Sequence, residues 1–225
     1  MIAERGVIRH ESAHVRRLWQ SAKYTGLSLS ETRKKEALSR LHSALAEYGP
    51  SPARVKIVLT ETDVCIEVRP LISDPVLHAG VAVTVTDLDR AIPAAKALPY
   101  HREWRAYSDA VARGYHETLL RRSDGSIPEG AISNLFFLKK GVLHTADTNM
   151  LPGITRARVL ADAVRLRIPV RFVQPTLADL LSADEIFLTR STAGIVPVVR
   201  IGTRRIKRGV PGAITLSFAG RYTDL

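Results

Sequence analysis

Four stretches of the sequence hold residue types at spacings that suit chemistry. Glu129 follows a turn and precedes the apolar run NLFF (134–137). Leu151-Pro152-Gly153 then opens a helix that begins with Ile154 and Thr155. The unbonded N–H groups of such a helix start attract phosphate or another anion. Ser191-Thr192 is a polar pair between two apolar strands and can add donors for the same anion. Lys96 stands in LDRAIPAAKALPY (88–100), between Pro93 and Pro99 and far from the neighbouring lysines Lys56 and Lys139. It is a candidate amine.

Each feature has a plain alternative: an ordinary Pro-Gly helix start, a polar loop, a solvated lysine. Their conjunction is more informative. A Schiff-base amine, an acid partner for a ring nitrogen and phosphate donors are the parts that pyridoxal 5′-phosphate requires. No Walker loop, GxGxxG, HExxH or GxSxG run competes with this reading. His10 and His14 have the spacing of a helical metal pair, but no third ligand cluster lies near them, so no metal is expected.

The elements that must position these residues follow from hydrophobic period and punctuation. Val15, Leu18, Trp19 and Ala22 give a helical face over 13–29, with Ser12 as the expected cap and Gly26 as the end. A second helix spans 30–48. Ser30 caps it, Leu38, Leu41, Ala44 and Leu45 form its buried stripe, and Gly49-Pro50 stops it. Strands follow at 55–60, 64–69 and 81–87, which makes an α+β unit with an antiparallel sheet. A helix over 101–113 ends at Gly114. Two hairpins turn at Asp124-Gly125 and Lys140-Gly141. The helix after Gly153 runs from about Thr155 to Leu166. A strand at VRFVQP, a short helix over 177–181, strands EIFLTR and IVPVVRIG, and a helix in PGAITLSFAGRY complete the chain.

Composition bounds the function. The 225 residues are 45% hydrophobic and 24% charged, an ordinary globular balance. No apolar run approaches the ~18–20 residues of a membrane span. The opening MIAERGVIRH has no apolar core of a signal peptide, so the cytoplasm is the expected compartment. Cys65 is the sole cysteine and lies in the strand pattern VCIEV, so a buried, inert thiol is expected. The net charge is 33 − 22 = +11. The basic pairs are spread along the chain without interleaved aromatic residues, which argues against nucleic acid and for attraction of an anionic small molecule.

With these residues in place, the chain resembles the class IV aminotransferases. These are fold-type IV pyridoxal-phosphate enzymes that include branched-chain aminotransferases, D-amino acid aminotransferases and aminodeoxychorismate lyases. The resemblance runs from about His14 to Tyr222. It is carried by HVRRLWQSA (14–22), Lys96, GYHETLLRRSDGSIPEGAISNLFF (114–137), GVLHT (141–145), LPGITRARVL (151–160), ADEIFLTRSTAGIVPV (183–198) and PGAITLSFAGRY (211–222).

The resemblance implies a two-domain α/β (α+β) fold: a small N-terminal domain (1–88), a linker (89–95) and a larger domain (96–225), with the cofactor between them. It implies a homodimer. It makes Lys96 the Schiff-base lysine and proton carrier, and pairs Glu129 with the pyridine nitrogen. Arg17, Ile154, Thr155, Ser191 and Thr192 would hold the phosphate, and Asn134 would support the cofactor. The implied reaction moves an amino group between an amino acid and a 2-keto acid. The related alternative is a lyase that forms p-aminobenzoate and pyruvate. A third reading, from another class, is a non-catalytic or nucleic-acid-binding protein that keeps the fold. One departure concerns the substrate side. The family's RGxxYGDGxFE-like run before the arginine helix is reduced here to MIAERGVIRH. That leaves Arg69 as the candidate for a substrate carboxylate, and Tyr100 as a candidate pocket residue.

Overall fold

The computed structural model of the chain describes residues 1–72, 74–97 and 101–222. They form two compact units. One comprises Met1–Ser73 and Ala94–Ala97; the other comprises Asp74–Pro93 and Leu98–Leu225.

The first unit contains β1 (Ile2–Glu4), β2 (Val7–Ile8), α1 (Glu11–Tyr24), α2 (Glu31–Tyr48), β3 (Ala53–Leu59) and β4 (Val64–Pro70). Its antiparallel sheet has the order β2-β1-β3-β4. Arg5 and Gly6 both take positive φ, 50° and 75°, which is the twist a two-residue hairpin turn needs. The opening run MIAERGVIRH is therefore a β-hairpin that feeds α1. That turn also moves the helix start. His10, at φ 54°, stands at the N-cap and its side chain makes no capping bond to the helix, and Ser12 lies inside the helix rather than capping it. In α2 the expected cap is present, with Ser30 Oγ accepting the Arg33 N–H at 3.1 Å. Leu41 and Leu45 pack on Ala3, Ile8, Ala53 and Val55. Burying each leucine contributes roughly 2 kcal/mol.

Cys65 corrects the sequence expectation, because it is exposed. Along β4 the side chains alternate, and Val64, Ile66 and Val68 occupy the inner positions, so Cys65 points the other way.

The second unit contains a 3-10 turn (Pro75–Ala79), β5 (Val81–Asp87), α3 (His101–Ala112), β6 (Glu117–Arg121), β7 (Glu129–Gly130), β8 (Asn134–Lys139), β9 (Val142–Thr145), α4 (Ile154–Arg165), β10 (Val170–Phe172), α5 (Leu177–Leu181), β11 (Glu185–Arg190), β12 (Gly194–Ile201), β13 (Arg204–Arg205) and α6 (Ala213–Ala219). The sheet runs β10-β9-β8-β11-β12-β5-β6-β7, and β7 also pairs with β8. The strands β8, β11, β12, β5, β6 and β7 therefore close on themselves. β5 belongs to this sheet, in parallel pairing with β6 and β12, rather than to the N-terminal sheet with which its position in the sequence grouped it.

Closure gives the unit an inside and an outside. Val83, Leu119, Leu135, Ile186, Leu188 and Val196, drawn from five of the strands, share one core. On the other face Phe136 and Phe187 pack against α4 and against Phe218 of α6, with the Phe136 and Phe187 rings stacked at 5.0 Å. No helix among the described residues is long and apolar enough to cross a membrane.

Candidate active site

Glu129 lies where β7 closes the ring, and its residue is 2% exposed. Its Oε1 accepts Arg90 Nε at 2.6 Å and its Oε2 accepts the Leu151 N–H at 2.9 Å. Arg90 Nη2 also donates to the Ala131 carbonyl at 3.0 Å, and Nη1 stands 3.9 Å from the buried Glu103 carboxylate. Burial pushes the Glu129 carboxyl upward; the Arg90 guanidinium and the Leu151 N–H oppose that shift. A buried carboxylate is sustained only by such partners. Arg90 and Glu103 were not identified from the sequence. The Arg90–Glu129 bond spans 39 residues, and LDRAIP carries the marks of a linker, so no local pattern announces the pair.

Asn134 is paired across the strands with Glu129 and with Thr189, so the three side chains share the outer face. Asn134 Nδ2 donates to the Leu151 carbonyl at 2.7 Å. Leu151 is thus held at both ends, its N–H by Glu129 and its carbonyl by Asn134. Those two bonds fix the approach to α4. Gly153 completes the fit: a Cβ there would lie 1.9 Å from Asn134 Oδ1.

The start of α4 differs from those of its neighbours. The Thr176–Asp179 capping box closes α5, and the Glu185 carboxylate accepts the Ile214 and Thr215 N–H groups at the start of α6, at 3.2 and 2.7 Å. Gly153 offers α4 no side-chain cap. The half-exposed Ile154 and the buried Thr155 stand at this uncapped end, whose dipole and N–H groups favour an anion. Thr189, 2% exposed, keeps its Oγ1 without a hydrogen-bond partner on the same face. Ser191 and Thr192 form the β11–β12 turn, just beyond Thr189, and are half-buried. Glu129, Asn134, Thr189, the α4 start and this turn therefore gather at one end of the sheet. An uncapped helix start, an orphaned hydroxyl and a fixed buried carboxylate fit a phosphorylated heterocycle carrying a basic ring nitrogen.

The first unit brings Arg17 and Lys96 together around His14. Arg17 lies half-buried on α1, and burial lowers its guanidinium pKa from the ordinary value. Burial pushes His14 down to about 3, with added effect from the Met1 amino group, Arg17 and Lys96, so the imidazole is neutral at pH 7. The Lys96 N–H donates to Ser21 Oγ at 3.0 Å, and the residue is exposed. Arg69 lies on β4 with its side chain 72% exposed and ion-paired to Glu67. Tyr100 falls outside the described residues.

The fold and these parts suit a phosphorylated ligand held against a closed mixed sheet. The profile described as amino-transferase class IV matches residues 1–201. A probable branched-chain-amino-acid aminotransferase of Thermotoga maritima is 31% identical over 217 residues, 93% of this chain and 78% of that protein. The branched-chain aminotransferase of Thermoproteus uzoniensis, solved with norvaline, superposes with a TM-score of 0.83 at 27% identity, covering 99% of this chain and 82% of that one. The T.th. branched-chain amino acid aminotransferase, solved with pyridoxamine 5′-phosphate, gives 0.78 at 25% identity over 95% of this chain and 77% of that one. The chain belongs to the class IV aminotransferase family and is an aminotransferase.

Proposed function

We propose that the chain uses pyridoxal 5′-phosphate to move the amino group of a branched-chain amino acid to a 2-oxo acid. The observation that carries the reading is Glu129: a buried carboxylate held by Arg90 and joined through Leu151 to the uncapped start of α4. The amino-acid class is supported by the names of the relatives, which are branched-chain aminotransferases. A homodimer is part of the reading, from the sequence resemblance.

The cofactor, when bound, supplies an electron sink for the α-carbon of the amino acid. Glu129 offers Oε1 and Oε2, already aimed by Arg90 and the Leu151 N–H, as an anionic partner for a protonated ring nitrogen. Arg90 raises the fraction of ionised Glu129 against the cost of burial. Ile154 and Thr155 offer N–H groups to the phosphate, with the hydroxyls of Thr155, Ser191 and Thr192, and Arg17 balances its charge. Asn134 keeps Gly153 and the α4 start in place. Lys96 Nζ would hold the cofactor and would carry the α-proton of the amino acid, as base and then as acid.

Borohydride reduction of the purified, cofactor-loaded protein followed by peptide mapping is the test. The label is expected on Lys96, together with transfer of the amino group of leucine, isoleucine or valine to 2-oxoglutarate. A label on another lysine, or a protein that takes up no pyridoxal 5′-phosphate, would overturn the reading.

A further inference from the structure

The buried side of α1 is unusually polar. His14, Arg17 and Ser21 follow at spacings of three and four, which puts them on one helix face. His14 and Ser21 are 9% and 5% exposed. A serine inside a helix has no intrinsic advantage, because its hydroxyl competes with the helix backbone and an alanine there would favour the helix. The partner of this hydroxyl lies elsewhere. Ser21 Oγ accepts the backbone N–H of Lys96 at 3.0 Å, across 75 residues.

Lys96 sits in a segment with no helix or strand of its own, and its neighbour Ala95 is 3% exposed. The main chain at this point is therefore held by burial of Ala95 and by the Ser21 bond, while the lysine itself is exposed. A loop has no ladder of backbone bonds to set its position, so one such bond to a rigid helix has a large effect on where a side chain begins.

We infer that Ser21 is a positioning residue for Lys96, its hydroxyl fixing the lysine main chain against α1 and so setting the reach of Nζ. The inference rests on the reading of Lys96 as the amine that binds the cofactor. The same helix face carries Arg17, so one rigid element sets both the arginine and the origin of the lysine stem. A proton carrier must come within hydrogen-bond reach of the proton it moves, and small misplacements are costly.

The experiment compares the cofactor-loaded wild type with Ser21→Cys, near in size but a weak acceptor, and with Ser21→Thr, which keeps the hydroxyl. Ser21→Cys is expected to lower kcat roughly tenfold while changing KM for the amino acid less than about twofold, because the loss falls on the positioned step. It is also expected to move the pH midpoint of the bound cofactor's absorbance. Ser21→Thr is expected to recover most of both effects. A Cys variant with wild-type kcat and midpoint overturns the inference, whatever its melting temperature. A parallel loss in Cys and Thr also overturns it, because packing rather than the hydroxyl would then be the cause. Borohydride mapping of the wild type separates the two levels. A label away from Lys96 removes the reading beneath the inference, whereas a label on Lys96 with an unperturbed Cys variant removes the inference alone.

Discussion

At the scale of single residues, Glu117 exposes a conflict between burial and charge. It lies at the start of β6, paired with the inward-facing Val83, and is 0% exposed. Its Oε1 accepts the Ile132 N–H at 2.9 Å, while Oε2 has no hydrogen-bond partner. Burial pushes the carboxyl up to about 7 from an ordinary 4.5, against the Ile132 N–H, the positive charge of Arg190 and the nearby Ser133 hydroxyl, with Glu129 adding a further push upward. The folded state thus holds the proton more tightly than the unfolded chain between those values. Its contribution to stability is complete below about 4.5 and is lost as pH rises toward 7. Glu117→Gln keeps the shape and removes the charge. It is expected to be more stable than wild type at pH 8 by about 1–3 kcal/mol, with the gap closing toward pH 4.5. Thermal melts of the two proteins across that range check it; parallel profiles would show that Glu117 stays ionised in the folded protein. Because Glu117 holds the Ile132 N–H in the connection from β7 to β8, the same carboxyl also steadies the turn between Glu129 and Asn134.

At the scale of elements, the site depends on how α4 is aimed. Gly153 has φ −72° and ψ 140°, which any residue can adopt, so its requirement is steric and not conformational. Alanine would place Cβ 1.9 Å from Asn134 Oδ1. The amide must then shift, and its bond to the Leu151 carbonyl is lost. Gly153→Ala is expected to weaken binding of pyridoxal 5′-phosphate by roughly 10–100-fold, in line with the loss of a supporting shell around a bound group. The overpacking is expected to cost about 1–3 kcal/mol of stability. Titration of cofactor-free protein by absorbance, with melting curves alongside, measures both; wild-type affinity would refute the steric account. The run that carries this arrangement, and the helix start within it, were legible in the sequence; the contacts of Asn134 with Leu151 and Gly153 were not. Glu129, Asn134 and Gly153 lie within one run, and Pro-Gly before an apolar helix is a readable start. The partners of that run were not legible. Arg90 follows a strand whose alternation suits either sheet, and only the parallel pairing of β5 with β6 and β12 brings the loop beyond it to Glu129. Cys65 failed for a related reason: period-2 alternation marks a strand without saying which of its faces the helix α2 covers.

At the scale of the whole molecule, charge is the property that acts beyond the site. The chain carries 33 lysines and arginines against 22 acids, a net charge of +11. The described ion pairs lie mostly at the surface, such as Arg121–Asp87 and Lys207–Asp184, where pairing adds little stability. The excess positive charge therefore acts outward, on what approaches. The expected ligands are anions: a phosphorylated cofactor and 2-oxo acids. A positive field raises their rate of encounter and is screened over about 10 Å at 0.1 M salt. The rate constant for uptake of pyridoxal 5′-phosphate by cofactor-free protein is expected to fall roughly tenfold between low salt and about 0.5 M sodium chloride. The rate of release should change far less, because groups at a partly buried site are weakly screened. Stopped-flow absorbance at a series of salt concentrations separates the two rates. An uptake rate indifferent to salt would mean that the surplus charge lies too far from the site to steer its ligands. A fall in uptake matched by an equal rise in release would place the effect in the contacts of the bound cofactor rather than in the field of the molecule.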